Sequence, residues 1–258
     1  MKKLTVLAIA FLVLVPSLAF ADIFSLRMGY FWPRANTDIL TNPDSLWAIE
    51  FDQMSFKMSD YQGGLYGLSY EYFISNQISM ALTVETYSKS RPGYYLDYVQ
   101  FAFEEGDFAF PYEFYDGASI THAFGVSSIP VQVSLKIAPL GRKTRFIPYL
   151  GGGVGFNFWS VKLYGEMVNF ADDSWVYDDP VLGEVQIYPI DIVNGREKGA
   201  EFSYHAFGGF DFPIGYRLTL MAEVRYHYSK PAFKEWFLGF EDFDLSGLAL
   251  TAGLNYWF

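Results

Sequence analysis

The segment Leu218-Thr219-Leu220-Met221-Ala222-Glu223-Val224-Arg225-Tyr226-His227-Tyr228 alternates strictly. Leu218, Leu220, Ala222, Val224, Tyr226 and Tyr228 share one face, and Thr219, Met221, Glu223, Arg225 and His227 share the other. A period of two is that of a β-strand with one face in an apolar medium, and an amphipathic helix would instead repeat at i, i+3, i+4 and i+7. The chain's last residues repeat the pattern, with Leu248, Leu250, Ala252, Leu254, Tyr256 and Phe258 set against Ala249, Thr251, Gly253, Asn255 and Trp257.

Six further segments alternate in the same way: Phe24–Tyr30, Tyr66–Ile74, Ile78–Thr86, Val131–Ile137, Phe146–Phe158 and Phe202–Phe212. Eight strands are therefore predicted. Their connections differ in length: Ser75-Asn76-Gln77, Pro139 to Arg145 and Pro213 to Tyr216 are short, whereas Trp32 to Gly63, Lys89 to Ala118, Lys162 to Ala200 and Lys230 to Asp244 are long. Short turns at one rim and long loops at the other are the rhythm of a closed antiparallel transmembrane β-barrel. A secreted β-sandwich also has alternating strands, but its polar face looks at water and has no need of the glycines mixed with charges seen here. A narrow lumen needs small or mutually paired residues inward, while lipid accepts large apolar ones outward.

Composition agrees. The 258 residues include 26 Phe, 20 Tyr and 6 Trp but no Cys, which excludes a disulfide scaffold, a thiolate metal site and a Cys nucleophile. A formal charge of −11 without a basic stripe excludes nucleic acid as a partner. Lys2 and Lys3, the apolar run Leu4 to Val15, and Ala19-Phe20-Ala21 have the layout of a secretory signal, so residues 1–21 are expected to be a leader cleaved after Ala21 and residues 22–258 the barrel. After Ala21 no apolar run approaches the ~20 residues of a membrane helix.

The chain resembles the small bacterial outer-membrane β-barrels of the OmpA, OmpX and OmpW type. The resemblance rests on Pro148-Tyr149-Leu150-Gly151-Gly152-Gly153-Val154-Gly155, the Ala222–Tyr226 strand and the terminal Gly253-Leu254-Asn255-Tyr256-Trp257-Phe258. It implies an outer-membrane location and contact with outer-membrane lipid and lipopolysaccharide. It also implies that Leu254, Tyr256 and Phe258 are the signal read by the barrel-assembly machinery. OmpA-type chains often continue into a peptidoglycan-binding domain, which is not expected here after Phe258.

The polar faces place a charge cluster in the lumen: Arg27, Lys136 and Arg225 against Glu71, Glu85, Asp211 and Glu223, with His205 and His227 nearby. Buried charges persist only when paired, so a salt-bridged plug is expected. The alternative is a narrow path for small or hydrophobic solutes. Across the Phe212–Arg217 turn, His205 is expected to face Glu223 or Arg225. The long loops are acidic and aromatic, and Tyr177 to Ile192 partly alternates, so strands and hairpins are expected above the membrane. Asp172-Asp173 and Asp178-Asp179 lack EF-hand spacing and read as a solvated acidic surface, with divalent cations bridging to lipopolysaccharide as the other reading. No cofactor is expected. His227-Tyr228-Ser229 is similar to the His-x-Ser of outer-membrane lipid A deacylases. Lys230-Pro231 stands where that family has Asn, and parity puts both side chains in the lumen rather than toward lipid, so a non-enzymatic monomer is expected.

Overall fold

A computed structural model describes residues 22–33, 52–170, 175–242 and 244–258, with no account of the Met58 side chain. The expected leader, Asp172 and Asp173 lie outside the described residues. The strands are β1 (Ile23–Pro33), β2 (Gly63–Phe73), β3 (Ile78–Phe103), β4 (Gly106–Pro111), β5 (Ala118–Ile137), β6 (Ile147–Val168), β7 (Trp175–Asp179), β8 (Gly183–Pro213), β9 (Leu218–Tyr228) and β10 (Gly247–Trp257). Among the described residues no helix is long and apolar enough to cross a membrane.

Eight of these strands, β1, β2, β3, β5, β6, β8, β9 and β10, pair antiparallel in a ring. The ring closes because β1 pairs on both sides, Ile23 standing opposite Trp257 of β10 and opposite Glu71 of β2. Closure leaves no open edge, which removes the hazard a long sheet otherwise carries. The two short strands sit outside the ring, β4 folded back on β3 and β7 forming a hairpin with β8.

The eight predicted segments fall on these strands, with only Ile74, Phe146 and Phe258 lying one residue outside, but four strands run far beyond them: β3, β5, β6 and β8 have 26, 20, 22 and 31 residues. Much of the long connections 89–118 and 162–200 is therefore strand, and the β7–β8 hairpin falls on Tyr177 to Ile192, where strands and hairpins above the membrane are expected. The reason is physical. Below about Thr86, Ile129 and Phe158 the outward residues are apolar and the inward ones polar, as with exposed Val84 and buried Glu85. Above that level the sense inverts: Tyr87, Phe124, Val126, Trp159 and Val161 are buried inside, while Ser88, Ser127 and Lys162 face outward. Alternation continues through the inversion, but its reference medium changes from lipid to water.

Inside the upper half the side chains form one apolar body. Phe31, Leu65, Tyr87 and Trp159 of the wall pack with Met54, Phe56 and Tyr61 from the β1–β2 connection and Phe233, Phe237 and Leu245 from the β9–β10 connection. Trp159 meets Phe233 edge-on at 5.5 Å, and Phe31 meets Tyr87 at 5.0 Å.

Candidate functional site

The lower interior holds two linked groups of charges. Near the short-turn rim, Lys136 of β5 donates to Glu71 Oε2 of β2 at 3.1 Å and to Asp211 Oδ2 of β8 at 3.0 Å. Its Nζ also lies 3.8 Å from the centre of the Tyr149 ring. Arg142, from the β5–β6 turn, reaches in to donate to Glu71 Oε1 at 2.8 Å and Ser79 Oγ at 2.6 Å. Asn255 Nδ2 donates to the other Asp211 oxygen at 3.0 Å.

One level up, Arg27 bridges Glu85 and Glu223, and Arg225 donates to Glu223 Oε1 at 2.9 and 3.1 Å. Arg225 also donates to Gln132 Oε1 at 2.7 Å and lies 3.7 Å from Glu85 Oε2, while the Tyr149 hydroxyl donates to Glu223 Oε2 at 3.1 Å. Arg27, Lys136, Arg142 and Arg225 thus meet Glu71, Glu85, Asp211 and Glu223, every carboxylate having a cation. Such pairing is what offsets the desolvation of charges taken out of water.

All nine residues of the sequence-derived cluster are buried in the ring's interior. The two histidines, however, do not join the carboxylates. The register puts His205 opposite His227, with Phe207 opposite Arg225 and Gly209 opposite Glu223. This corrects the expected His205 pairing: β8 and β9 stay paired down to Pro213 and Thr219, and that register sets His205 level with His227. His205 Nε2 instead meets Ser134 Oγ at 2.7 Å, and Gln132 Nε2 donates to His227 Nδ1 at 2.8 Å. Ser229 Oγ accepts from Asn157 Nδ2 at 3.1 Å and is fully buried, so hydroxyl and imidazole of the His-x-Ser segment are bonded to different partners.

Sequence reading missed Arg142, because a turn residue has no facing to read from alternation. It also missed Tyr149 and Gln132, whose bonds depend on which strands meet across the ring. Glu197 was missed as well: it points inward from β8 and accepts the backbone N–H groups of Lys234, Glu235 and Phe237, tethering the β9–β10 connection inside the mouth. Among the described residues, no group of three or more His, Cys, Asp or Glu is arranged to hold a metal ion. Asp179 accepts the N–H groups of Val181 and Leu182 at 2.8 and 2.9 Å and the Tyr115 hydroxyl at 2.9 Å. The two backbone donors, Leu182 first, hold its carboxyl below the usual carboxylate range.

Outside, the lower half carries a continuous apolar surface that includes Leu26, Leu68, Val84, Val133, Phe156, Leu220, Val224 and Leu250. Outward positions of the eight segments at this level carry no Asp, Glu, Lys or Arg. A belt this wide is not tolerated in water, and strands of about ten residues are long enough to cross a bilayer. The chain folds as a small outer-membrane β-barrel. Leu254, Tyr256 and Phe258 lie on its lipid face at the end of the closing strand, Tyr256 meeting Phe258 edge-on at 5.2 Å.

No family description and no curated protein matches the sequence. Solved structures with a distant likeness include Neisserial surface protein A, at 13% identity and a TM-score of 0.47, covering 92% of this chain and 97% of that one. A major outer membrane protein of Thermus thermophilus has 11% identity and a TM-score of 0.45, covering 92% and 99%. The E. coli outer membrane protein W has 11% identity and a TM-score of 0.37, covering 92% and 98%.

Proposed function

We propose that this barrel is a closed, non-enzymatic outer-membrane protein that serves envelope integrity and presents its extracellular sheet for interaction. The observation that carries this reading is the double plug, a charge-paired layer below and an aromatic body above. The interior cavity between them, lined by Leu65, Glu85, Gln132, Arg225 and His227 among others, has a volume of about 20 Å³, room for about one water. Cleavage of the leader after Ala21, a monomeric state and recognition of the last strand by the assembly machinery belong to the same proposal.

A second reading, passage of a small apolar solute through the wall, has one observation in its favour. Val84 pairs with Val131 and Tyr87 with Ser128, but the two positions between them are unpaired where Pro130, which has no N–H, stands in β5. Ion conductance tests the closed lumen of the first reading. Refolded into a planar bilayer, the closed barrel is expected to show no stable open level, and a reproducible single-channel step would overturn it.

A further inference from the structure

Just above the apolar belt, the outward face of four neighbouring strands forms two cross-strand rows. Ser88 of β3, Ser127 of β5, Ser160 of β6 and Lys198 of β8 stand side by side. One step further from the membrane, Ser90, Gly125, Lys162 and Arg196 do the same. Below both rows lies Ile129-Phe158-Ala200, already part of the belt, with Ile129 and Phe158 exposed.

Three features of this patch need a common cause. Lys162 and Arg196 are direct cross-strand neighbours, and like charges in that position repel. Among the described residues, neither they nor Lys198 forms an ion pair with a carboxylate. Glu166, the acid four residues along the same face of β6, is engaged by the Thr121 N–H at 3.0 Å. The patch is also concave: Gly125 has no side chain to fill its centre, and the hollow over it measures about 210 Å³. Arg196 is already aimed across it, donating from Nε to Ser160 Oγ at 3.1 Å, which leaves the other guanidinium donors to an outside acceptor. In a chain of formal charge −11, these cations are gathered where the belt meets water.

We propose that this shelf binds the phosphate of an outer-leaflet lipid headgroup. Lys162, Arg196 and Lys198 supply the charge, and the hydroxyls of Ser88 and Ser90 supply neutral donors, that of Ser127 being turned to the Ser160 carbonyl oxygen at 3.5 Å. An anion in the hollow relieves the Lys162–Arg196 repulsion, and its acyl chains continue down over Ile129 and Phe158. That continuity favours a lipid over free phosphate. The guanidinium fork and ammonium groups are the usual partners of phosphate oxygens, and each basic residue near an anionic membrane surface contributes about 1 kcal/mol.

The test is a titration of the full-length protein in nonionic micelles with dodecyl phosphate, dodecanol and inorganic phosphate, followed by NMR at the amides of Gly125, Ser127 and Lys162. Dodecyl phosphate is expected to give saturable shifts at these amides, with dodecanol and inorganic phosphate far weaker. K162Q/R196Q/K198Q should weaken the affinity by about a hundredfold, and K162R/R196K/K198R should retain it. Unchanged affinity in the glutamine variant would overturn the proposal, and saturation by inorganic phosphate at the same concentration would overturn its lipid assignment. Should the glutamine variant fail to fold, the wild-type chain decides. Its affinity must fall as salt shortens the Debye length from about 10 Å at 0.1 M to about 3 Å at 1 M, and salt-independent binding is the contrary result. Whether the barrel conducts does not bear on any of these outcomes.

Discussion

Arg225 is held by three groups from three other positions, Glu223, Gln132 and, at longer range, Glu85. Replacing it alone with Met leaves Glu223 and Glu85 sharing Arg27, an unbalanced carboxylate in a dry interior, at an expected cost of about 3–5 kcal/mol. Replacing Glu223 with Gln at the same time leaves the Arg27–Glu85 pair intact, so the double variant should lose about 1–2 kcal/mol at most. Urea unfolding in lipid vesicles measures both, and additive losses would show that the two side chains do not interact. His122 tests the upper interior. It packs between Phe56 and Tyr95 at ring distances of 5.1 and 5.2 Å, and burial pushes its pKa down to about 4, with Glu166 opposing. A lowered histidine pKa means that the unfolded chain takes up the proton first, so stability is lost as pH falls from about 6.5 toward 4. His122→Phe removes that proton uptake while keeping an aromatic ring. The stability of wild type relative to this variant should therefore fall across that pH range, and a difference independent of pH would refute the assignment.

At the level of the element, β5 and β6 come unusually close. A Cβ on Gly153 would lie 2.0 Å from the Val133 carbonyl oxygen, and one on Gly155 would lie 2.1 Å from that of Val131. The Gly-rich run is thus a packing device of the barrel wall, since any side chain there pushes backbone against backbone. Gly153→Ala and Gly155→Ala should each cost about 1–3 kcal/mol. Gly208→Ala, whose Cβ would meet only the Tyr149 carbonyl oxygen at 3.7 Å, should be close to neutral in the same vesicle unfolding assay. The inversion of alternation belongs to this scale too. A strand such as β3 keeps its period of two from Ile78 to Tyr94, before its register with β5 shifts, yet its apolar face moves from lipid at Val84 to the interior at Tyr87.

For the whole molecule, closure is the cooperative event. β10 is the last strand, and its pairing with β1 joins the two ends of the described chain, the Phe258 N–H donating to the Asp22 carbonyl at 3.0 Å. Tyr256 and Phe258 present the lipid face of that seam. Changing both to Asp puts two charges on the lipid side of the strand that must close the ring, which is costly at membrane depth. The expected outcome is loss of the heat-modifiable folded form from outer-membrane fractions, and wild-type levels there would contradict it.

The period-two alternation of segments such as Leu218–Tyr228 determined the strands of the belt, their facing and the polarity of the lumen, because a residue in a strand has only two directions to point and lipid leaves no ambiguity about which is apolar. The interior charges of Arg27, Glu71, Glu85, Lys136, Asp211, Glu223 and Arg225 were legible for the same reason. Which of them touch was not, because contacts across a ring depend on register and on strands distant in sequence, as with His205 opposite His227 and Tyr149 beneath Glu223. Arg142 enters from a turn, where no alternation gives a direction. Strands above the membrane were legible in the partial alternation of Tyr177 to Ile192, but how far β3, β5, β6 and β8 run without a break was not, because above the membrane the apolar face turns inward and the sequence carries no mark of where the surrounding medium changes. Only the tertiary structure sets Lys162 beside Arg196 over Gly125, since these residues lie on three strands whose neighbours are fixed by closure.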